Sequence, residues 1–222
     1  MTNSLTNTAR LLGAGLRALL VLTLVTGVLY PLVITGIAQG LFNHKANGSD
    51  ITADGKVVGS SLIGQPYNLP PGKGEETPAP DLTWFQGRPQ NGLGTNSVNT
   101  QYKLILSGAT NRSGDNEELV QWVKDAKTAV VKVNSTAGHT IDPSEVPADA
   151  VTSSGSGLDP DISPQYAHLQ VHRIAERNGL PVAEVQSLVD EHTEGRTLGF
   201  MGEPRVNVLE LNTALKALLA KR

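Results

Sequence analysis

The sequence predicts a single N-terminal transmembrane helix followed by a mixed α/β (α+β) extracytoplasmic domain that is helical in its second half. Three observations predict this fold class. Residues 18–43 are 26 consecutive residues without Asp, Glu, Lys, Arg or His. Residues 45–115 are rich in glycine and proline and contain only short apolar runs. After residue 115, apolar side chains recur at the spacing of amphipathic helices.

Composition excludes several classes of function. The 222 residues carry a net charge of −3, with 18 basic and 21 acidic side chains, and offer no basic stripe for a nucleic-acid partner. The absence of cysteine excludes a disulfide framework, thiolate metal sites and a cysteine nucleophile. Two Trp, four Tyr and three Phe are too few for a surface on which bases stack.

The apolar run is long enough to cross a membrane. At about 1.5 Å per residue its 26 residues reach roughly 39 Å, more than the ~30 Å of a bilayer's hydrocarbon core. Pro31 should kink the helix and free one backbone hydrogen bond. Gly27, Gly36 and Gly40 offer small surfaces for close contact with partner helices. We therefore predict a transmembrane helix over 18–43 that packs through these four residues.

A cleaved signal peptide and a buried core helix are the alternatives. Arg10 and Arg17 precede the run, and Ala38-Gln39-Gly40 has the small residues of a cleavage site. The run is about twice the length of a signal-peptide core, which favours a retained anchor. A core helix would need a polar face, which these 26 residues lack.

Charge predicts the orientation. Residues 1–17 contain Arg10 and Arg17 and no acid, so the positive-inside rule places them in the cytoplasm and residues 44–222 outside. Residues 1–44 hold only those two charges, which leaves residues 45–222 at −3 − 2 = −5. The sequence predicts a single-pass protein of the inner or plasma membrane with an acidic outer domain.

The first half of the domain should be extended and rich in turns. Residues 56–64 form a short run with apolar pairs and glycine punctuation, which predicts a strand. Five prolines between residues 65 and 81 predict an irregular segment. Trp84 and Phe85 begin a compact stretch, and residues 104–106 fit either a buried strand or the end of a short helix.

Four amphipathic helices should follow. Asp115 can cap the first, while Ser163 with Pro164 begins the second and Gly179 ends it. Pro181 begins the third, and the last runs to the C-terminus. The inward stripes are Leu119, Val123, Ala126 and Val130; Ala167, Val171 and Ile174; Val182, Val185, Leu188 and Val189; and Val208, Leu211, Leu215 and Leu218.

No catalytic set is evident. His168 and His172 have the helical spacing of zinc ligands, but Leu169 stands where a metalloprotease has Glu. A structural reading of the two histidines, as surface or packing residues, is favoured over metal binding. The alternatives to the main functional prediction are a membrane-anchored metal-dependent envelope enzyme that uses His168 and His172, and a non-enzymatic envelope-binding protein. Residues 159–161 lack the remaining ligands of a calcium loop, and residues 153–157 lack the ending of a phosphate loop. We predict no catalytic, cofactor-binding or metal-binding residue.

Five short motifs follow the span in a fixed order. They are residues 46–49, 57–65, 84–89, 156–165 and 206–212. In this order they closely resemble the KdpC family, the C subunits of Kdp-type potassium-transporting ATPases, from about Arg17 to Leu218. The resemblance implies a structural or interface role for Asn47, Gly48, Gln65, Gly87, Arg88, Pro89, Gly157, Leu158, Gln165, Arg173, Asn207, Glu210 and Asn212.

The chain departs from the family pattern at three places. Gln86 stands where the family usually has His, and His172 where it usually has Pro. Residues 92–99 only partly match the glycine- and asparagine-rich family segment. We expect local contacts to differ there.

The resemblance implies an accessory, non-catalytic subunit of an ATP-driven, high-affinity potassium importer. Its implied partners are a channel-like potassium-translocating subunit and an ATP-hydrolysing P-type subunit, with membrane lipid around the anchor. ATP and K⁺ act at the level of the complex. The family role includes assembly and a catalytic-chaperone effect that raises ATP affinity. An outer domain cannot touch cytoplasmic ATP, so assembly and capping of the ion entrance are favoured.

Overall fold

The computed structural model describes residues 2–70, 72, 78–89, 107–108 and 111–222, with side chains from Ser4 onward. The predicted element at 104–106 and the departure at 92–99 lie outside the described residues. The chain divides into two compact units, Met1–Asp50 and Ile51–Arg222.

The first unit is built on one long helical rod. Helix α1 (Thr2–Leu24) continues through a π-helical turn (Val25–Leu29) into α2 (Tyr30–Leu41). The 38 residues Ser4–Leu41 are long and apolar enough to cross a membrane, and the described residues contain no second helix of this kind. The helix begins well before residue 18, because the residues preceding the apolar run include good helix formers such as Leu11 and Leu12.

The π-helical turn ends at Leu29, two residues before Pro31. Proline has no N–H, and Pro31 lies in the first turn of α2. In the turn, Tyr30 N–H donates to the carbonyl of Val25, five residues back, and the ring of bonded atoms is wider than in an α-helix. The disturbance expected at Pro31 therefore takes the form of a π turn.

Side-chain amides close the end of the rod. The short helix α3 (Asn43–Ala46) follows a break at Phe42. Across that break Gln39 Oε1 accepts from Asn43 Nδ2 at 2.9 Å and from Asn47 Nδ2 at 3.1 Å, while Gln39 Nε2 donates to Asn47 Oδ1 at 3.0 Å. Gly48, with φ +99°, then turns the chain. Asn47 and Gly48 thus have a local structural role in this unit.

Two small sheets follow. Strands β1 (Asp50–Ala53) and β2 (Lys56–Ser60) pair through a two-residue turn whose members, Asp54 and Gly55, both have positive φ, as a type I′ hairpin requires. The strand predicted from residue 56 is confirmed, although it ends at Ser60.

The second sheet consists of very short antiparallel strands in the order β3–β5–β4. They are β3 (Asp161–Ile162), β4 (Thr193–Glu194) and β5 (Arg205–Asn207). These strands were not predicted, because two or three residues are too few to show an alternating pattern. Val206, in the central strand, is completely buried and pairs with both neighbours.

The four predicted helices are confirmed. They are α4 (Glu117–Asn134), α5 (Pro164–Asn178), α6 (Val182–Glu191) and α7 (Val208–Leu219). Ser163 Oγ caps α5 by accepting from Tyr166 N–H at 3.1 Å. Gly179 ends that helix in the left-handed conformation, with φ +63°.

Two details of these helices were predicted wrongly. The N-cap of α4 is Asn116 and not Asp115, since Asn116 Oδ1 accepts from Leu119 N–H at 3.0 Å. Val182 does not face the core. It is the first residue of α6 and is 40% exposed, whereas Val185 and Val189 are completely buried.

Helix α5 lies at the centre of the core. Its neighbours include α4, α6 and strand β5, and apolar side chains from all of them meet around it. The members with almost no exposed surface are Phe85, Ile162, Ala167, Val171, Ile174, Val185, Val189, Val206, Leu211 and Leu215. The described residues of the proline-rich 65–81 segment are irregular apart from a bridge between Asn68 and Pro80.

Candidate functional site

A buried arginine joins three parts of the domain. Arg173 of α5 is only 2% exposed. Its Nε donates to Asn134 Oδ1 at 2.8 Å, its Nη1 to the carbonyls of Leu82 and, at 3.1 Å, Trp84, and its Nη2 to Gln170 Oε1 at 2.6 Å. We call this group the arginine clamp. It fixes the 82–84 segment to α4 and α5.

The charged guanidinium of Arg173 is surrounded by neutral oxygen acceptors. Burial lowers the pKa of Arg173 to about 10, so the side chain is still charged at neutral pH. Each of its four hydrogen-bond acceptors is an amide or backbone carbonyl. A buried charge is tolerated when its donors are satisfied, and the planar guanidinium can reach several acceptors at once.

Two side-chain amides, Asn212 and the Gln170 of the clamp, bind the 85–86 backbone as a neighbouring strand would. Asn212 of α7 accepts from Phe85 N–H and donates to Phe85 C=O, both at 2.9 Å. Gln170 accepts from Gln86 N–H at 2.7 Å and donates to Gln86 C=O at 3.0 Å. A segment without a strand partner thus has its backbone polar groups satisfied inside the protein.

Gln86, which stands where the family pattern has His, makes hydrogen bonds to the preceding segment. Its Nε2 donates to the carbonyls of Asp81 at 2.7 Å and Tyr67 at 3.2 Å. Both carbonyls belong to the irregular segment that precedes the motif. The amide therefore holds that segment against the clamp.

A second group of contacts links the 84–89 motif to the glycine-rich 153–159 loop. We call this group and the arginine clamp the joints of the domain. Arg88 Nη1 lies 3.0 Å from Asp159 Oδ2, and Arg88 Nη2 donates to Ser153 C=O at 3.2 Å. Gly64 N–H donates to Leu158 C=O at 2.8 Å. A Cβ on Gly64 would collide with the backbone carbonyl oxygen of Asp159, so only glycine allows this approach.

Asn207 joins the final motif to both sheets. Its Oδ1 caps α7 by accepting from Glu210 N–H at 3.2 Å. Its Nδ2 donates to Ser61 C=O at 2.9 Å and to Asp161 Oδ1 at 3.2 Å. One side chain therefore sets the start of α7 against β3 and the residue after β2.

The structure thus brings some of the predicted motif residues together and leaves others apart. Arg88, Leu158, Arg173, Asn207 and Asn212 all take part in the contacts described above. Others make weaker or different contacts. Gln65 donates to Val58 C=O at 3.4 Å, and Gly157 turns the 153–159 loop with φ +68°. Gly87 has open space where a Cβ would lie, and Gln165 is exposed. Asn47 and Gly48 belong to the first unit.

A cleft of about 710 Å³ opens beside these joints. Ala126, Val130 and Val133 of α4 form an apolar wall, and Arg88 and Asp159 lie among its polar lining. Arg88 and Asp159 pair with each other, whereas the buried guanidinium of Arg173, which also lines the cleft, has only neutral acceptors.

The two predicted zinc-spaced histidines have different neighbours. His168 Nδ1 lies 2.7 Å from Gln186 Nε2, and its Nε2 lies 3.4 Å from Asp190 Oδ1. His172 stacks on His139 with ring centroids 3.8 Å apart and an interplanar angle of 12°. Across the described part of the chain, no group of three His, Asp or Glu side chains could hold a metal ion.

Sequence reasoning missed the amides that bind the motif. Asn134, Gln170 and Asn178 were not singled out, yet Asn178 Nδ2 donates to Thr83 C=O at 2.9 Å and the other two belong to the clamp. The available signal was an amide standing inside an apolar helical stripe. Because buried amides need partners, such a position points to a backbone segment bound inside the protein.

Comparisons with known proteins agree on one family. The family model described as "KdpC: K+-transporting ATPase, c chain" matches residues 12–217. The "Potassium-transporting ATPase KdpC subunit" of Streptomyces avermitilis is 80% identical over 220 residues, covering 99% of both chains. The subunit of the same name from Streptomyces coelicolor is 74% identical over 220 residues, covering 99% of this chain and 98% of the relative. That of Caldanaerobacter subterraneus subsp. tengcongensis is 45% identical over 196 residues, covering 88% and 89%.

Proposed function

The chain belongs to the KdpC family, the c chains of K⁺-transporting ATPases, and from this premise we propose that it assembles its transporter and caps the ion entrance. It is an accessory subunit of a potassium transport complex and not a catalyst by itself. Its proposed partners are a channel-like potassium-translocating subunit and an ATP-hydrolysing P-type subunit. The proposal assigns translocation of K⁺ and hydrolysis of ATP to those partners.

The observation that carries the assembly role is the exposed apolar helix. Large apolar side chains project from all sides of the Ser4–Leu41 helix. Gly36 and Gly40, one turn apart, have open space where a Cβ would lie. A helix with such a face can bring its backbone close to a partner helix in the bilayer.

The topology we propose follows the positive-inside rule. Residues 1–17 lie in the cytoplasm, residues 18–43 form the membrane-embedded part of the helix, and residues 44–222 lie outside. In this arrangement the domain of net charge −5 lies over the outer mouth of the channel-like subunit. It repels anions there and contributes no site for K⁺.

Cysteine labelling tests the topology cleanly, since the chain has no cysteine of its own. Lys56→Cys on β2 and Ser4→Cys at the start of the helix both create exposed thiols. We expect a membrane-impermeant maleimide added to intact cells to label Lys56→Cys, and to label Ser4→Cys only after lysis. The opposite pattern would invert the topology.

Glycine substitutions test assembly. Gly36→Leu/Gly40→Leu should lower the recovery of partner subunits with the tagged chain from solubilised membranes at least fivefold, because bulky side chains separate the helices. Gly15→Leu is the control, since Gly15 is exposed on the same rod and also has open space around it. Equal recovery from the two variants would argue against helix packing through this face.

The catalytic-chaperone role requires transmission through the membrane in this topology. The domain and cytoplasmic ATP lie on opposite sides, so any effect of the domain on ATP affinity must pass through contacts between helices. In complexes that still assemble, Gly36→Leu/Gly40→Leu should raise the KM for ATP. A KM equal to that of wild type would reject the chaperone role and leave assembly standing.

A further inference from the structure

The loop between β4 and β5 ends in an apolar tip made of Leu198, Phe200 and Met201. Their exposed fractions are 78%, 71% and 46%. Single exposed apolar residues are ordinary on protein surfaces, but three within four residues at the end of a hairpin form a patch. Phe200 is one of only three phenylalanines in the chain, and Phe85, by contrast, is completely buried in the core.

The tip is held in a defined shape. Thr197 N–H donates to Met201 C=O at 2.9 Å, and Met201 N–H donates back to Thr197 C=O at 3.0 Å. Phe200 N–H donates to Thr197 C=O at 3.3 Å and closes a four-residue turn. Its central residues, Leu198 and Gly199, have φ +54° and +82°. This is a type I′ geometry, in which Asn-Gly is the favoured pair.

Leucine is a costly choice at that position. A branched side chain with positive φ is strained, whereas asparagine tolerates the conformation. The Leu198 side chain is mostly exposed, so packing within the domain returns little of that cost. A strained residue that displays an apolar side chain at a loop tip is typical of a contact made with another molecule.

The charges beside the tip favour a protein over a lipid surface. Arg196 pairs with Glu203 at 2.7 Å across the base of the loop, and Arg205 pairs with Glu194 at 2.6 Å. Residues 193–205 have no Lys, Trp or Tyr and a net charge of zero. A loop that binds a bilayer usually carries free basic residues or interfacial Trp and Tyr.

We propose that the apolar tip inserts into an apolar, uncharged groove on another subunit of the potassium-transporting complex. The inference rests on the proposed assembly role and gives it a second contact, in the domain rather than in the membrane helix. The tip is positioned for this by β5, whose Val206 is buried and whose Asn207 caps α7. A pre-shaped loop loses little freedom when it binds.

Photocrosslinking in the assembled complex tests the proposal. The full chain carrying Phe200→p-benzoylphenylalanine is expressed with its partner subunits, irradiated in native membranes and purified through a tag. Val57→p-benzoylphenylalanine is the matched control, because Val57 is 60% exposed on β2. We expect a covalent adduct between the Phe200 probe and a transporter subunit, and no such adduct from the Val57 probe.

Each other outcome contradicts the tip contact. An adduct with lipid would show that the tip binds the bilayer, and an adduct with a second copy of this chain would show self-association. No adduct in a complex that co-purifies normally would remove the tip contact while leaving the assembly role intact. Failure of the wild-type chain to co-purify with any subunit would instead refute the assembly role.

A second variant separates contact from folding. Leu198→Asn/Phe200→Ser suits the turn better than the native sequence, so the domain should fold normally. Its complex should dissociate in detergent at least tenfold faster than wild type. Val57→Thr/Val182→Ser, which removes two exposed valines elsewhere, should leave the rate unchanged. Equal dissociation of the two double variants would overturn the proposal.

Discussion

Replacing Arg173 by Met should lower the free energy of unfolding by about 3 kcal/mol. The loss leaves Leu82 C=O and Asn134 Oδ1 with no other donor among the described residues. Each buried acceptor without a partner costs about 1–3 kcal/mol. The bonds to Trp84 C=O and Gln170 Oε1 add about 0.5–1.5 kcal/mol each.

The removal of a buried cation acts in the opposite direction. The pKa of Arg173 falls from 12.5 to about 10 through burial, which corresponds to about 3 kcal/mol of cost for holding the charge inside. Subtracting this relief from about 3–9 kcal/mol of lost bonding leaves an expectation near 3 kcal/mol. That is a fraction of the ~5–15 kcal/mol typical of a domain, so the variant should still fold.

Urea unfolding of the full-length chain in detergent micelles measures the effect. Trp84 and Trp122 are the only tryptophans, and Trp84 belongs to the clamped segment, so fluorescence reports directly on its release. Arg177→Met is the control, because Arg177 is exposed one turn further along α5. It should change stability by less than about 0.5 kcal/mol.

Arg173→Lys distinguishes bonding from charge. Lysine keeps the buried cation but carries its donors on one nitrogen, which cannot reach four oxygens in a planar arrangement. It should therefore destabilise the domain at least as much as Met. An Arg173→Met variant within 1 kcal/mol of wild type, or a Lys variant that restores stability, would refute the clamp as a source of stability.

Two further predictions concern packing and pH. Gly64→Ala should lower the free energy of unfolding by about 1–3 kcal/mol in the same urea assay, because its Cβ would lie 2.9 Å from the carbonyl carbon of Asp159. Gly87→Ala is the control and should leave the free energy of unfolding nearly unchanged, because its Cβ would meet nothing within 4 Å. Equal effects of the two would contradict the close approach. Burial and the neighbouring His139 lower the pKa of His172 in the folded chain. As pH falls below about 6.5, His172 therefore binds a proton in the unfolded chain before it does so in the folded chain, and the free energy of unfolding declines. The decline between pH 7.5 and 5.5 should be smaller in His172→Gln, and an unchanged decline would show that the stacked pair is not responsible.

The elements that could be predicted from the sequence begin and end through contacts between residues that are close together in the chain. The cap at Ser163 and the stop at Gly179 act within a few residues, so the sequence sufficed to predict α5. At α4 the choice between the adjacent caps Asp115 and Asn116 depended on which side chain reaches Leu119 N–H. Both residue types are good caps, so composition could not decide.

The joints could not be derived in this way. The Arg173 guanidinium binds carbonyls 89 and 91 residues away in the sequence, and no spacing rule connects them. Helix α5 is also buried on nearly every side, so a search for one apolar stripe overlooked Gln170. Motif resemblance identified Arg173 and Asn212 as structural or interface residues without indicating what they bind.

The neutral oxygens around Arg173 also determine how the domain responds to ionic strength. Ions screen exposed pairs such as Arg196–Glu203 and Lys216–Asp54, whose contribution fades as salt rises. Hydrogen bonds from a buried guanidinium to amide oxygens have no partner charge for salt to screen. A rise in salt concentration should therefore weaken the exposed ion pairs of the domain and leave the arginine clamp unchanged. This response suits a protein that belongs to a potassium transporter.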